Sequence, residues 1–97
     1  MLTVVATLQC TEENLEHVIS ALKTLQFHSR QEKGCERYDI ARRITEQHIE
    51  IVITELWASA AALEAHFNAD HFTRFSAQAE KIVLNSEVKK YEVIEAD

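Results

Sequence analysis

Proline is absent from this sequence of 97 residues, and glycine occurs once, at Gly34. These absences exclude collagen-like chains and Gly- or Pro-rich linkers, and they leave few residues suited to tight hairpin turns. Glycine-rich phosphate-binding loops are excluded as well, because each needs at least two glycines. Hydrophobic residues make up 46% and charged residues 27% of the chain, which is the composition of a globular domain. We therefore expect a single domain spanning residues 1–97.

Cations are also scarce, with ten Lys and Arg residues against sixteen Asp and Glu residues and a formal net charge of −6. An acidic surface repels phosphate backbones, so we expect no nucleic-acid partner. No apolar run approaches the roughly 20 residues that span a bilayer, and residues 1–10 lack the basic leader of a signal peptide. The two cysteines, Cys10 and Cys35, form no Cys-x-x-Cys motif. We expect no membrane partner, and a cytoplasmic protein with two free thiols.

The hydrophobic pattern predicts four strands and two helical regions. The strands are predicted over residues 2–10, 35–43, 48–57 and 86–95. An apolar stripe at helical spacing predicts the first helix over residues 12–33. The second helical region has two pieces, one over residues 60–68 and one that begins at Asp70 and carries a stripe from Phe72 to Val83.

Polar residues mark where these helices begin and end. Thr11 and Ser59 each precede an apolar stripe and are predicted to cap a helix N-terminus. Asp70 is predicted to cap the second piece of the later helical region in the same way. Gly34 follows the first helix, at the position where the backbone needs a positive φ.

The order β-α-β-β-α-β predicts an α+β ferredoxin-like sandwich, with four antiparallel strands and the helices on one face. In this topology Cys10 and Cys35 lie at opposite ends of the sheet, too far apart for a disulfide. The other face of the sheet would carry Val52 and Leu56. An apolar sheet face is rarely left bare in a soluble monomer, so we expect two subunits to pack sheet to sheet as a homodimer.

Two segments carry a resemblance to a known family. Residues 55–72 contain Glu-x-Trp at a strand end, then a short helix with Leu and Glu-Ala-His, and then His-Phe. Residues 32–35 are Glu-Lys-Gly-Cys at the exit of the first helix, and an aromatic residue follows at Tyr38. Together with the chain length and the element order, these motifs resemble the antibiotic biosynthesis monooxygenase (ABM) family over nearly the whole chain.

The resemblance implies a dimeric α+β barrel in which each subunit holds a small apolar pocket between its helices and its sheet. Characterised members include quinol and anthrol monooxygenases that use dioxygen without metal or flavin, heme-degrading enzymes, and enzymes that process a phosphorylated signalling sugar. The heme-degrading members use an Asn on the first strand, a Trp in the first helix after the third strand and a His in the next helix. Here the first strand has no Asn, and His66 and Ser76 occupy the other two positions. Heme degradation is therefore disfavoured.

Three residues of the 55–72 segment are candidates for catalysis: Glu55, Trp57 and His66. The resemblance places His66 in a pocket, where an imidazole titrates near physiological pH; the alternative is a core histidine bonded to a backbone carbonyl. Glu55 would orient His66 or bind substrate, and the alternative is a strand-end carboxylate that reaches solvent or an Arg. Trp57 would belong to the pocket wall, to the core, or to both.

Aromatic side chains and a second histidine are the candidates for the substrate pocket. The predicted pocket residues are Tyr38, Phe67, His71, Phe72 and Phe75. A metal site would pair His66 with His71, but their five-residue spacing does not match the i, i+4 geometry of helical zinc ligands. No third ligand is evident in the sequence. We expect no metal and no cofactor.

The function that this pattern favours is a cofactor-independent monooxygenase that oxidises a small phenolic, quinol or polyketide-like aromatic with dioxygen. Two alternatives stay open: a non-catalytic dimeric module that binds a small molecule, and an isomerase of a phosphorylated signalling sugar. An open pocket with a buried ionisable residue favours an enzyme, whereas a filled pocket with His66 bonded to backbone favours the module. The isomerase needs Lys or Arg at the pocket mouth, and the second strand offers Arg37, Arg42 and Arg43.

Overall fold

The computed structural model describes residues 1–96. Its strands are β1 (Leu2–Cys10), β2 (Cys35–Ile44), β3 (Ile49–Trp57) and β4 (Asn85–Glu92). Its helices are α1 (Leu15–Ser29), α2 (Ala60–Phe67) and α3 (Asp70–Ile82), with a 3-10 turn over Glu12–Asn14 before α1. Every predicted element is present, and the bounds differ most at the end of the first helix. No helix within these residues is long enough and apolar enough to span a membrane.

The first helix ends at Ser29, earlier than the predicted residue 33. Beyond it, the backbone N–H groups of Gln31 and Glu32 donate to the carbonyls of His28 and Ser29, each three residues back. Such bonds tighten the chain into 3-10-type turns, so the α-helical geometry cannot continue. The turns end at Gly34, whose φ of 91° confirms the predicted left-handed position.

Gly34 is also a point of close approach between this loop and α2. A β-carbon built on Gly34 would lie 2.6 Å from the Cβ of Ala62, well inside van der Waals contact. The carbonyl of Gly34 accepts a hydrogen bond of 2.8 Å from the backbone N–H of Ala58. The single glycine therefore lets the loop after α1 pack directly on α2.

Two of the three predicted helix caps form. The hydroxyl of Thr11 accepts a hydrogen bond of 3.3 Å from the N–H three residues on, and the hydroxyl of Ser59 accepts one of 3.1 Å in the same way. The predicted cap at Asp70 is wrong, because the N-cap of α3 is Ala69 and Asp70 is the first helical residue. A carboxylate in that first turn still lies at the positive end of the helix dipole.

The four strands form one antiparallel sheet in the order β2-β3-β1-β4. This is the strand order of the ferredoxin-like fold, so the predicted α+β class and topology are confirmed. Cys10 pairs with Ile49 at one end of β3, and Cys35 pairs with Trp57 at the other. The length of β3 separates these two ends by about 26 Å. Both thiols are free, as expected.

One face of the sheet packs against the helices. Alternate side chains of β1 and β3 point to this face and meet the apolar stripe of α1 and the start of α2. The buried apolar residues on these elements are Val4, Ala6, Leu8, Cys10, Val18, Leu22, Leu25, Ile49, Ile51, Ile53, Trp57 and Leu63. The polar residues buried among them are Ser29, Glu55 and His66. A buried carboxylate and a buried imidazole each need a partner, and these two residues lead to the site.

The opposite face of the sheet carries the alternate residues and has no helix of residues 1–96 packed on it. Val5, Val52 and Leu56 point to this face and are partly exposed, and Tyr91 on β4 is half exposed. Charged side chains flank this apolar centre: Arg37, Asp39, Arg43, Glu87 and Lys89. Val52 and Leu56 thus lie on the helix-free face, as predicted.

Candidate functional site

The centre of the site is His66, which α2 turns toward the interior on the same face as Leu63. His66 is fully buried. Four aromatic rings surround its imidazole. Their centroids lie 4.6 Å (Trp57), 5.1 Å (Phe72), 5.6 Å (Phe67) and 5.7 Å (Tyr38) from that of the imidazole. The imidazole is therefore enclosed by apolar surface rather than by water.

Glu32 holds His66 in one orientation. Its Oε2 atom lies 2.6 Å from Nδ1 of His66. A carboxylate only accepts hydrogen bonds, so Nδ1 carries the proton and Nε2 keeps its lone pair. Within residues 1–96, Nε2 is buried and has no hydrogen-bond partner. Burial lowers the pKa of His66 below its ordinary value, against the opposing effect of the Glu32 carboxylate, and so favours the neutral ring.

Glu55 has a different partner from the one predicted. Its Oε1 atom accepts a hydrogen bond of 2.8 Å from Nε1 of Trp57, and the residue is only 5% exposed. Among residues 1–96, Glu55 makes no hydrogen bond to His66 and no ion pair with an Arg. The predicted role of Glu55 as the residue that orients His66 is wrong, because Glu32 occupies that place. Burial raises the pKa of Glu55 to about 7; the indole N–H acts against this, and the charge of Glu32 adds to it.

His71 approaches the same carboxylate from α3. Its Nε2 atom lies 3.2 Å from Oε2 of Glu32, but it is not aligned for a hydrogen bond. No other hydrogen-bond partner within residues 1–96 satisfies this buried nitrogen. The ring of His71 stacks on that of His28 from α1, with 5.5 Å between the centroids. These side chains therefore form a row that leads from the exposed surface of α1 to the buried imidazole, in the order His28, His71, Glu32 and His66.

These side chains bring together donor atoms that the sequence spacing did not predict. One ligand atom from each of Glu32, His66 and His71 lies within 4.8 Å of the other two. No third ligand was evident in the sequence, and the fold supplies a candidate for it in Glu32. The i, i+4 rule does not apply here, because the donors come from the loop after α1, from α2 and from α3 rather than from one helix.

An open cleft of about 780 Å³ lies between α1 and α3, next to His71. Its apolar lining residues are Ala21, Leu25, Phe75 and Ile82. Polar groups line the rest of it, including His17, His28 and the exposed cations Arg74 and Lys81. Asp70 adds one carboxylate to this lining, so the two cations leave the cleft with a small excess of positive charge, which suits an anionic ligand in a chain of net charge −6.

The predicted site residues fall into two adjacent groups. Trp57 and three of the predicted pocket residues, Tyr38, Phe67 and Phe72, surround His66, whereas His71 and Phe75 line the cleft. Glu32 and His28 were not predicted as site residues. The signal for Glu32 was its place in the Glu-Lys-Gly-Cys motif of residues 32–35, which was used for the family resemblance but not for the site. No signal pointed to His28.

The chain is similar in sequence and in fold to known proteins over most of its length. The sequence model of the family described as antibiotic biosynthesis monooxygenase matches residues 1–78. The protein named "Putative monooxygenase YcnE" from Bacillus subtilis is 29% identical over 83 residues, 86% of each chain. The crystal structure of PA3566 from Pseudomonas aeruginosa is 32% identical, with a TM-score of 0.85 over 97% of this chain and 94% of the other.

A structure from Deinococcus radiodurans, described as a "putative antibiotic biosynthesis monooxygenase", has a TM-score of 0.91 and 26% identity. The match covers 100% of this chain and 96% of that one. The family match takes in β1, the loop that carries Glu32, and the α2 and α3 histidines. Sequence, strand order and overall shape lead to one conclusion: this chain is a member of the antibiotic biosynthesis monooxygenase family.

Proposed function

We propose that this chain is a monooxygenase that oxidises a small phenolic or quinol-like aromatic with dioxygen and uses no cofactor. The observation that carries the proposal is the buried Glu32–His66 pair, in which Nδ1 is held at 2.6 Å and Nε2 is left with a free lone pair. A carboxylate that fixes the tautomer and direction of an imidazole is the arrangement of a general base. His66 is the base, and Glu32 is its positioning residue.

The chemistry needs no external reductant. His66 Nε2 removes a phenolic proton from a hydroquinone, and the electron-rich anion then gives one electron to dioxygen. The two radicals recombine, and the resulting peroxide takes up a proton and loses water. One oxygen atom enters the ring, the other leaves as water, and the substrate supplies all four electrons as it becomes a hydroxyquinone. The protein has to remove the proton, stabilise the anion and exclude bulk water.

The aromatic rings around His66 suit an aromatic substrate, but one of them has to move before a substrate can reach Nε2. Trp57, Phe67 and Phe72 fill the space around the imidazole, so a substrate reaches Nε2 only if a ring moves. Phe67 and Phe72 are only partly buried, and they are the rings that move in our proposal. A planar aromatic substrate can replace the contacts of these two rings with the imidazole by its own.

The proposal includes a homodimer formed through the helix-free face of the sheet. That face has an apolar centre at Val5, Val52 and Leu56 with charged residues around it, which is the usual composition of an interface. A second copy that packs sheet to sheet would cover this centre. The helices and the His66 site then stay on the outer side of each subunit.

The isomerase of a phosphorylated sugar is the second candidate, and one observation favours it. Arg74 and Lys81 line the cleft beside His71, and these two side chains supply the cations that such a substrate needs. Neither makes an ion pair within 4.0 Å among residues 1–96. These cations come from α3 and not from β2, where Arg37, Arg42 and Arg43 were considered. Two observations bear on the non-catalytic module in opposite directions: rings fill the space around His66, which favours the module, but His66 is bonded to a carboxylate and not to backbone, which favours an enzyme.

The test is oxygen consumption by purified protein, untreated and metal-stripped, with a panel of quinols and anthrols. Wild-type protein is compared with His66→Gln and with a matched control, His48→Gln, at the far end of the sheet. We expect uptake that survives chelation, is lost in His66→Gln and is kept in His48→Gln. Equal uptake by wild type and His66→Gln on a confirmed substrate contradicts the role of His66. No uptake with any compound, together with turnover of phosphorylated ketoses, favours the isomerase.

A further inference from the structure

We infer that Glu32, His66 and His71 form a binding site for a divalent transition-metal ion, with Zn²⁺ as the best match, and that the ion competes there with the proton on His66 Nδ1. The site uses a donor set of two imidazoles and one carboxylate. This is the ligand set of three-ligand zinc sites and of non-heme iron sites. The inference goes beyond the proposed oxidation and does not depend on it.

The geometry of the three donors is close to that of a metal site. Oε2 of Glu32 lies 2.6 Å from Nδ1 of His66 and 3.2 Å from Nε2 of His71. Donor atoms bound to one tetrahedral Zn²⁺ at about 2.0–2.2 Å stand roughly 3.3–3.5 Å apart. The His71 contact is about 0.1 Å shorter than this range, and the two imidazole nitrogens lie within 4.8 Å of each other. The His66 contact has to open by less than about 1 Å, as expected where a proton occupies the place of the ion.

Burial and charge also favour a cation. The three side chains are 1%, 16% and 21% exposed for His66, Glu32 and His71, so water competes weakly for the donors. Within residues 1–96, no Lys or Arg nitrogen lies within 4.0 Å of the Glu32 carboxylate. Its charge is therefore compensated only by two imidazoles, of which one is not aligned for a hydrogen bond. A dication would compensate this charge and satisfy the unpartnered nitrogen of His71.

The surrounding residues support a site with three protein ligands and one open position. The ring of His28 stacks on His71 and holds it toward Glu32. His71 also lines the cleft, so water or a small anion has a route to the open position. Three protein ligands with an accessible fourth position distinguish an exchangeable site from a closed structural one.

Metal binding and the proposed base chemistry exclude each other. An ion on Nδ1 of His66 displaces the proton there, and the neutral ring then carries its proton on Nε2. A ring in that state cannot accept a proton from a substrate. Zn²⁺ therefore inhibits the oxidation proposed above, and chelation restores it. If that oxidation fails as a proposal, the binding measurements below still decide whether the site exists.

The experiment titrates metal-stripped wild-type protein with Zn²⁺ by calorimetry and with Co²⁺ by visible absorption. We expect one ion per chain, a Kd on the order of 1 µM or tighter, and Co²⁺ d–d bands of a site with four or five ligands. Glu32→Gln and His71→Ala should each weaken Zn²⁺ binding by about 10-fold or more, because each removes a ligand. His48→Ala, which removes a histidine at the far end of the sheet, should bind Zn²⁺ as tightly as the wild type does.

Two further measurements keep the outcome decisive. Cys35→Ser tests whether a nearby thiol holds the ion, and it should bind with unchanged affinity. Circular dichroism verifies that each variant is folded, and a Zn²⁺-dependent rise in Tm should appear in wild type and vanish in folded His71→Ala. The inference is overturned if wild type binds no ion, or if Glu32→Gln and His71→Ala bind as tightly as wild type.

Discussion

The carboxylate of Glu32 lies 2.6 Å from Nδ1 of His66, although the two residues are 34 positions apart in the chain. The contact joins the loop after α1 to α2, across the close approach of Gly34 and Ala62. It also fixes which nitrogen of the buried ring carries the proton. Several consequences of this pair and of its neighbours can be measured without a known substrate.

The first prediction concerns the tautomer of His66. In the wild type, ¹⁵N-detected NMR at neutral pH should show a neutral ring with the proton on Nδ1, because the Glu32 carboxylate accepts that bond. Glu32→Ala removes the acceptor, so the ring should populate both tautomers. His48, at the β2–β3 turn, gives an internal control whose signals should not change. A wild-type ring protonated on Nε2 would contradict the assigned geometry.

The second prediction concerns stability against pH. Burial raises the pKa of Glu55 from its ordinary 4.5 to about 7, so the folded state binds a proton that the unfolded state has lost. The stabilisation from this proton is complete below pH 4.5 and is lost as the pH rises through about 7. The free energy of unfolding should therefore fall across this range, on the order of 3 kcal/mol.

Glu55→Gln tests this directly. Its amide oxygen still accepts the Trp57 indole N–H but cannot ionise, so the decline attributed to Glu55 should disappear from the variant. Urea unfolding at one-unit steps from pH 4 to pH 9 measures the difference. Glu13→Gln, an exposed control, should follow the wild-type curve. Parallel curves for wild type and Glu55→Gln would show that Glu55 does not titrate in this range.

The third prediction concerns the only glycine. Gly34→Ala places a Cβ at a φ of 91° and 2.6 Å from the Cβ of Ala62, so it should lower the free energy of unfolding by about 2–4 kcal/mol. The double variant Gly34→Ala, Ala62→Gly removes the clash but keeps the backbone strain. It should therefore lose less free energy of unfolding than the two single variants lose in sum. Strict additivity of the two changes would mean that the close contact is absent in solution.

The fourth prediction concerns the helix-free face of the sheet. Val52 lies near the middle of this face, opposite Thr7 on β1 and Ala41 on β2. Wild type should sediment as a dimer, and Val52→Asp should sediment as a folded monomer, because a carboxylate there would lie unpaired in the interface. Ala77→Asp, on the exposed side of α3, should leave the dimer intact. A monomeric wild type would remove the homodimer from the proposal.

The strands, the helix order and the sheet topology could be predicted because each depends on local patterning. Alternation placed Val52 and Leu56 on one face of β3, and the sole glycine marked the end of the first helical region. The point where α1 stops could not be predicted, because residues 30–33 are helix-compatible in isolation. Their path is set by the packing of Gly34 against Ala62, which is a tertiary contact.

The part of the candidate site that comes from one segment of the chain could be predicted, and the part that depends on tertiary contacts could not. His66, Trp57 and Phe72 belong to one continuous segment, so their proximity follows from two short helices. Glu32 comes from a distant turn, and no spacing rule connects it to His66 or His71. Glu55 was considered as a partner of His66, but its actual partner depends on the indole orientation of Trp57, which a sequence pattern does not specify.

Trp57 is the only tryptophan in the chain. Its indole N–H is bonded to Glu55, and its ring centroid lies 4.6 Å from that of His66. Ionisation of Glu55, a change of charge on the imidazole or the arrival of an aromatic ligand would each alter the surroundings of that single indole. The intrinsic fluorescence of the protein, excited selectively at the indole band, is therefore a label already built into the site, with no competing tryptophan signal from the rest of the chain.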